Sequence, residues 1–529
     1  MSLKKIKSML IRITPINFII IIFFFLILAN LFFRVNEFGG YSGDIDTFIY
    51  SGQRLLVGAF HWTESFDDKL PIIQILFLLP GLFKSVLVWG LLSFITIIFG
   101  AWACFYLVNN IISYDVTIPL KERRLAASLS SISLVYMFLF LPGNIFHINA
   151  APASLAIISL ALIVKSLTLK PQLKILPFFI SAVCASVSIG IRPYFLISLI
   201  IGASLLIINR SEFLSGRNGG FLRIFLWIGT TGLIGFITNV APYIAIDNLD
   251  AFFAGMFVLS QDLVQQELGD LIATMVISIY SQNLLILMLT ILSLSSIVYS
   301  LSTFSIKKIF INRKLNDIIT IIFLCPLFLV LMILTQHFQN HYLQLFVPFL
   351  AIGVGLFYPL FKHNLLNFLS TVKLKSIWAT TIFFTIIFCM EIFFKDFIYA
   401  YYSIYQKNDP IYPKIEKIIS MEPDERRDFL FLNDERIHWM LQEPRHGFPT
   451  QANTGHIIDW GTWDNTFDMP NHFNHPTNAE EYCNELEERG PTILFIRNLP
   501  NFKKSCLRKS SVYNFEENLS DDVSLFKRN

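Results

Sequence analysis

The sequence predicts a polytopic α-helical membrane protein with a small C-terminal α/β domain. Three observations carry this. The 529-residue chain is 54% hydrophobic and only 15% charged, where a soluble domain carries roughly 25% charged residues. Apolar runs of about 20 residues, long enough to cross a bilayer, recur along it. From residue 400 onward the composition changes to charged and turn-forming residues. The net charge of +3 is too small to point to a nucleic-acid partner.

The elements follow in chain order. Lys4, Lys5, Lys7 and Arg12 precede an apolar run at about 16–33 that is too long for a signal peptide and lacks a small-residue cleavage site. It is expected to be the first span, with its N-terminus in the cytoplasm. Further spans are expected at about 86–108, 125–141, 151–168, 175–190, 194–208, 224–244, 270–300, 317–335, 342–361 and 376–398, about eleven in all. The apolar segment 71–83 is too short to cross and is expected to lie in or dip into the interface. Basic residues at 4–12, 121–124, 165–174, 209–223, 307–314 and 362–375 then all fall on one side, as the positive-inside rule requires. Counting 71–83 as a span would place Lys121, Arg123 and Arg124 outside. The loops 34–70, 142–150, 336–341 and the polar loop 245–269 share the extracytoplasmic face with the tail. The location this implies is the cell membrane. An isoleucine-, lysine- and phenylalanine-rich composition points to an AT-rich genome and a bacterial inner membrane.

Two domains result: a transmembrane domain at 1–399, including the outer loop 34–83, and an extracytoplasmic α/β domain at 400–529. Strands are expected at 428–432 and 492–496, and helices at 435–442 and 479–488. Cys104, Cys184, Cys325 and Cys389 lie in apolar spans and read as packing residues. Cys483 and Cys506 lie in the tail, where a disulfide between them stays open.

Chemistry-bearing residues concentrate in 37–71, where Glu37, Asp44, Asp46, Glu64, Asp67 and Asp68 face only Arg54 and Lys69. Ionisable groups beside the hydrocarbon are costly and usually functional. From Asp46 to Val57 the pattern is helical, with Tyr50 one turn after Asp46. A carboxylate there can act as a general base on a hydroxyl. Alternatively, Asp44 and Asp46 share a divalent cation, Mg or Mn, with a phosphate, or one of them caps the helix. Lys69 can neutralise a lipid phosphate or simply snorkel to the interface. His61-Trp62 reads as an interface anchor. His337 and His341, four residues apart, can bind phosphate or metal, or form a polar turn. Arg192 stands alone at the outer end of its span, where positive-inside does not place it; a phosphate or an acid such as Asp262 or Glu267 would explain it. His147 has the weakest claim. In the tail, His472, His475, Trp460 and Trp463 form a mixture suited to a carbohydrate or metal surface, or to a structural loop. No Gly-rich phosphate loop and no Ser-His-Asp pattern is present.

The order of one span, an outer loop with an early Asp, a Trp turn and a Lys-x-Pro resembles the GT-C membrane glycosyltransferases, which include lipid A aminoarabinose transferases and protein O-mannosyltransferases. Bacterial members carry Asp-Glu-Ala-Arg-Tyr, then Gly-Asp-Trp, then Lys-Pro-Pro-Leu. Here Asp46-Thr47-Phe48-Ile49-Tyr50 keeps the Asp and Tyr, Phe60-His61-Trp62 keeps the Trp, and Lys69-Leu70-Pro71-Ile72 keeps the Lys and second Pro. His341-Tyr342-Leu343 through Pro348 is similar to a late Tyr-Leu-x-x-x-x-Pro segment. The family Arg is Ile49 here, so its phosphate contact passes to Arg54 or Arg192.

The resemblance implies a GT-C-like fold and a polyprenyl-phosphate sugar donor entering from membrane lipid. The acceptor is a glycan, lipid or protein hydroxyl. Asp46 would be the base, and Lys69, with Arg192, His337 and His341, would bind the donor phosphate. Tyr50, Arg54, His61 and Tyr342 would contact substrate. A lipid-linked glycan polymerase or ligase is the alternative enzyme, but the short loop 336–341 disfavours it. A flippase or transporter is the non-enzymatic alternative. It predicts charge deep within spans and repeated halves, neither of which the sequence shows.

Overall fold

The computed structural model describes residues 43–56, 58, 60, 70–83, 85–113, 118–141, 147–168, 175–208, 219–257, 273–274, 284–302, 340–370, 429–432, 484, 487–488, 493–497, 510–518 and 523–529. The expected spans at 16–33, 317–335 and 376–398, the helix at 435–442 and the cysteines at 325, 389, 483 and 506 lie outside these residues.

Three short helices come first: α1 (Gly43–Leu56), α2 (Ile72–Leu76) and α3 (Leu78–Phe83). The expected single helix over 71–83 is broken at Phe77. Pro80 lacks the N–H that a continuous helix would donate to the carbonyl of Leu76, and its ring would clash there. The long helices follow: α4 (Val86–Ser113), α5 (Leu120–Phe140), α6 (Ala150–Thr168) and α7 (Ile175–Ile191). A 3-10 turn at Pro193–Phe195 leads into α8 (Leu196–Ile208). Next come α9 (Gly219–Asn239), α10 (Ala241–Ala245), α11 (Leu249–Phe257) and α12 (Leu284–Ser302). A 3-10 segment at Asn340–Phe346 leads into α13 (Val347–Ser370).

Among the described residues these helices overlap the expected spans, with several differences. The span expected at 342–361 opens as a 3-10 segment and is α-helical only from Val347. The span expected at 224–244 breaks at Val240, because Pro242 cannot donate to the carbonyl of Thr238. The loop expected over 245–269 begins with α11. There Asn248 Oδ1 accepts the N–H of Ala251 at 3.3 Å, the side-chain cap that starts a helix.

The bundle is apolar outside as well as inside. Leu91, Ile95, Ile98 and Phe99 on α4, Phe225, Leu233 and Phe236 on α9, and Ile291, Leu294 and Val298 on α12 are all exposed. A soluble protein seldom exposes so much contiguous apolar surface; lipid is the environment that suits it. Val88–Ser113 is the one described segment with the length and hydropathy to span a bilayer by itself. Shorter apolar stretches run over Ala150–Ser166, Ile175–Ile191, Pro193–Ser204, Ile224–Asn239, Ile286–Tyr299 and Tyr342–Phe357.

Small and hydroxylated residues let the helices close up, the usual device where lipid removes the hydrophobic drive between helices. Ser159 on α6 and Ser181 on α7 exchange bonds: Ser159 Oγ–H donates to the Ser181 carbonyl at 2.9 Å, and Ser181 Oγ–H donates to the Ser159 carbonyl at 2.8 Å. Trp227 Nε1–H of α9 donates to Ser181 Oγ at 3.2 Å, so one knot ties three helices. Cys104 and Cys184 are buried free thiols, consistent with a packing role.

Near the C-terminus, β1 (Phe429–Leu432), β2 (Ile493–Arg497), β3 (Tyr513–Asn518) and β4 (Val523–Arg528) form a sheet in the order β1-β2-β4-β3. The β1–β2 pair is parallel, with Phe429 opposite Ile493, and the others are antiparallel. The sequence signals β1 and β2 as short apolar runs. It hides β3 and β4, whose charged residues interrupt the alternation. Tyr513, Leu525 and Phe526 are nonetheless buried.

Candidate functional site

The candidate site is built at one end of the bundle by segments far apart in sequence. Ile45, Phe48 and Ile49 of α1 bury against Ile73, Phe77, Trp89, Ile148 and Ile191. Phe77 stacks on Trp89 with ring centroids 4.3 Å apart. This layer brings together α1, the start of α4, the entry to α6 and the end of α7. Gly52 and Gly81 set how closely α1 and α3 approach. A Cβ at Gly81 would come within 2.8 Å of the Gln53 nitrogen, and one at Gly52 would collide with the Phe77 carbonyl. Gln74 Nε2–H donates to the Ser51 carbonyl at 3.3 Å, and Asn239 Oδ1 on α9 accepts the N–H of Ile72 at 3.0 Å. The helix pair is thus pinned to the bundle.

Asp44, Asp46, Tyr50 and Arg54 all lie on α1. The helix begins at Gly43, so both aspartates fall in its first turn rather than ahead of it, where the macrodipole favours negative charge. Positions 44 and 46 are about 200° apart around the axis. Positions 46, 50 and 54 recur every four residues, along one side. Arg54 is fully buried. Gln53 beside it is also buried, and among the described residues neither end of its amide has a hydrogen-bond partner. Lys69, His61 and His337 lie outside the described residues, as do the tail candidates His472, His475, Trp460 and Trp463. His341 has its backbone on the 3-10 segment Asn340–Phe346. No group of three His, Cys, Asp or Glu residues poised for a metal occurs among the described residues.

Arg192 and Tyr342, 150 positions apart, come together. Pro193 forces Arg192 out of the helical region, to φ −139° and ψ 102°, so α7 stops and the side chain turns across the bundle end. Arg192 is 6% exposed. Its Nε–H donates to Asn149 Oδ1 at 2.6 Å, and its guanidinium carbon lies 5.5 Å from the Tyr342 ring centroid. Tyr194 meets the same ring edge-on at 6.4 Å. The N–H of Asn149 donates to His147 Nδ1 at 3.2 Å. His147, weakest of the sequence candidates, therefore sits two residues from the group that holds Arg192. The expected pairing of Arg192 with an outer-loop acid such as Asp262 or Glu267 falls on acids outside the described residues.

Asn149, Gln53 and Asn239 were not among the sequence candidates. An Asn just ahead of an apolar run reads as a helix cap, and nothing local shows that Asn149 reaches an arginine 43 residues on.

The fold is like that of a solved membrane-protein structure, ArnT. ArnT from Cupriavidus metallidurans, solved in the apo state, matches with a TM-score of 0.53 at 10% identity, over 97% of this chain and 98% of that one. The oligosaccharyltransferase AglB from Archaeoglobus fulgidus, solved with an inhibitory peptide and a dolichol-phosphate, matches with a TM-score of 0.48 at 10% identity, over 90% of this chain and 69% of that one. The ArnT likeness establishes the fold alone, and the AglB likeness is too weak to argue from. No protein-family model matches the sequence, and no curated protein does.

Proposed function

We propose that this chain is an integral membrane glycosyltransferase. It moves a sugar from a polyprenyl-phosphate donor to a hydroxyl of a glycan, lipid or protein acceptor on the extracytoplasmic side. The observation that supports this is that, at one end of an apolar-faced bundle, the Asp46 helix packs in one layer with Ile191, next to Arg192, whose guanidinium in turn lies against Tyr342.

In the proposed reaction Asp46 takes the proton of the acceptor hydroxyl. The acceptor oxygen forms a bond to the anomeric carbon as the bond from that carbon to the phosphate oxygen breaks. The bonding pair leaves on the lipid phosphate. Arg192, with Lys69, His337 and His341, stabilises the charge developing there. Tyr50, Arg54, His61 and Tyr342 orient the substrates. A single displacement of this kind inverts the anomeric configuration. Because the leaving group is a lipid phosphate, the donor enters sideways from the bilayer and no nucleotide site is required. A divalent cation, if one takes part, would supply further charge to the phosphate.

The test is sugar transfer from a panel of radiolabelled polyprenyl-phosphate sugars by purified wild type, Asp44→Asn and Asp46→Asn. Asp46→Asn is expected to lose about 10²- to 10⁴-fold in kcat, the range for a removed general base, while still binding donor. Undiminished turnover in Asp46→Asn, or product of retained configuration, would overturn the assignment.

A further inference from the structure

We infer that Asn149 is a positioning residue: it sets the Arg192 guanidinium so that its Nη1–Nη2 edge receives a prenyl phosphate. This rests on the lipid-phosphate reading above. An arginine side chain has many rotamers, and ordering it costs conformational entropy. Here it is held twice. Asn149 Oδ1 takes the Nε–H at 2.6 Å, and the Tyr342 face lies 5.5 Å from the guanidinium carbon. Together these fix both the direction and the plane of the fork.

The chemistry of the partner matters as much as its position. Asn149 is neutral and fully buried, so it orients the cation without neutralising it. Among the described residues no carboxylate pairs with Arg192, and its Nη groups have no protein acceptor. A nearly buried cation in that state strongly favours an arriving anion. With Nε taken by Asn149, the end-on edge remains. Two parallel N–H groups there match two oxygens of a phosphate, a fit that a lysine cannot reproduce.

The experiment measures binding of farnesyl phosphate to the purified full-length protein, with farnesol and inorganic phosphate as controls. Wild type is compared with Arg192→Lys, Asn149→Ala and Asn149→Asp. Asn149→Ala is expected to weaken farnesyl phosphate binding about tenfold, and to raise donor KM more than it lowers kcat. Asn149→Asp keeps the acceptor and the shape but sets a carboxylate against the guanidinium. It is expected to lose binding at least as far as Asn149→Ala, with the thermal midpoint of wild type. A merely structural asparagine predicts the reverse, wild-type binding in Asn149→Asp, and that result overturns the inference even if Asn149→Ala fails to fold. Inorganic phosphate binding as tightly as farnesyl phosphate overturns the prenyl source. If farnesyl phosphate binding follows Asn149 but wild type turns over no sugar donor, the anion fork stands and the transferase reading falls. If turnover proceeds and Asn149 variants bind as wild type does, the inference alone falls.

Discussion

Among the described residues, two sets of buried polar groups in the bundle are built differently. In the middle, Ser159, Ser181 and Trp227 bond to one another and tie α6, α7 and α9. At the end, Arg192 makes one hydrogen bond to Asn149 and keeps its Nη edge, and Gln53 keeps a whole amide, among the described residues. Both sets are shielded from water, where an unpaired polar group costs about 1–3 kcal/mol. A set that satisfies itself holds helices together. Unused bonding capacity also occurs elsewhere in the bundle, at Ser154, Ser186 and Ser293 Oγ among the described residues. What sets the end region apart is that such capacity sits beside a nearly buried cation, an arrangement suited to meeting a ligand.

Breaking the frame of the end region should have the largest effect. Gly52→Val drives a branched side chain into the Phe77 carbonyl, forcing α1 and α3 apart. The expected outcome is loss of turnover together with a stability loss of about 1–3 kcal/mol from overpacking, read as a lower thermal midpoint in detergent. A wild-type midpoint would show that the helix pair is not set by that contact. Asn239→Ala comes next. It removes the acceptor of the Ile72 N–H and is expected to cost about 1 kcal/mol, with a drop in kcat because α2 loses its anchor to α9. Unchanged kcat would separate α2 from the reaction.

Gln53→Leu sharpens the comparison. Replacing a buried, unpartnered amide with an apolar side chain of similar size should leave stability unchanged or raise it by up to about 1–3 kcal/mol. Substrate KM should rise. A stabilised enzyme with wild-type KM would assign Gln53 to packing. The smallest effect is expected for Ser181→Ala in the central knot: about 0.6–1 kcal/mol of stability, the usual size of such bonds between membrane helices, with kcat and KM unchanged. A shift in KM there would erase the distinction between the two sets.

The sequence by itself determined the helical elements of the bundle. Apolar runs forced α4 to α9, α12 and α13, because a backbone in lipid must satisfy its own hydrogen bonds. The apolar pattern of α1 and the prolines at 80, 193 and 242 carry local rules, which is why the breaks they cause have a local explanation. β1 and β2 were visible for the same reason. The juxtaposition of Arg192 with Tyr342 and Asn149 was decided only by tertiary structure. It depends on which helix ends meet, and side chains 43 and 150 positions apart leave no periodic trace. Gly52 and Gly81 likewise read as ordinary glycines until two backbones are seen to touch. Local sequence fixes which bonds the chain can make with itself nearby; only packing decides which polar groups are left with bonds to spare.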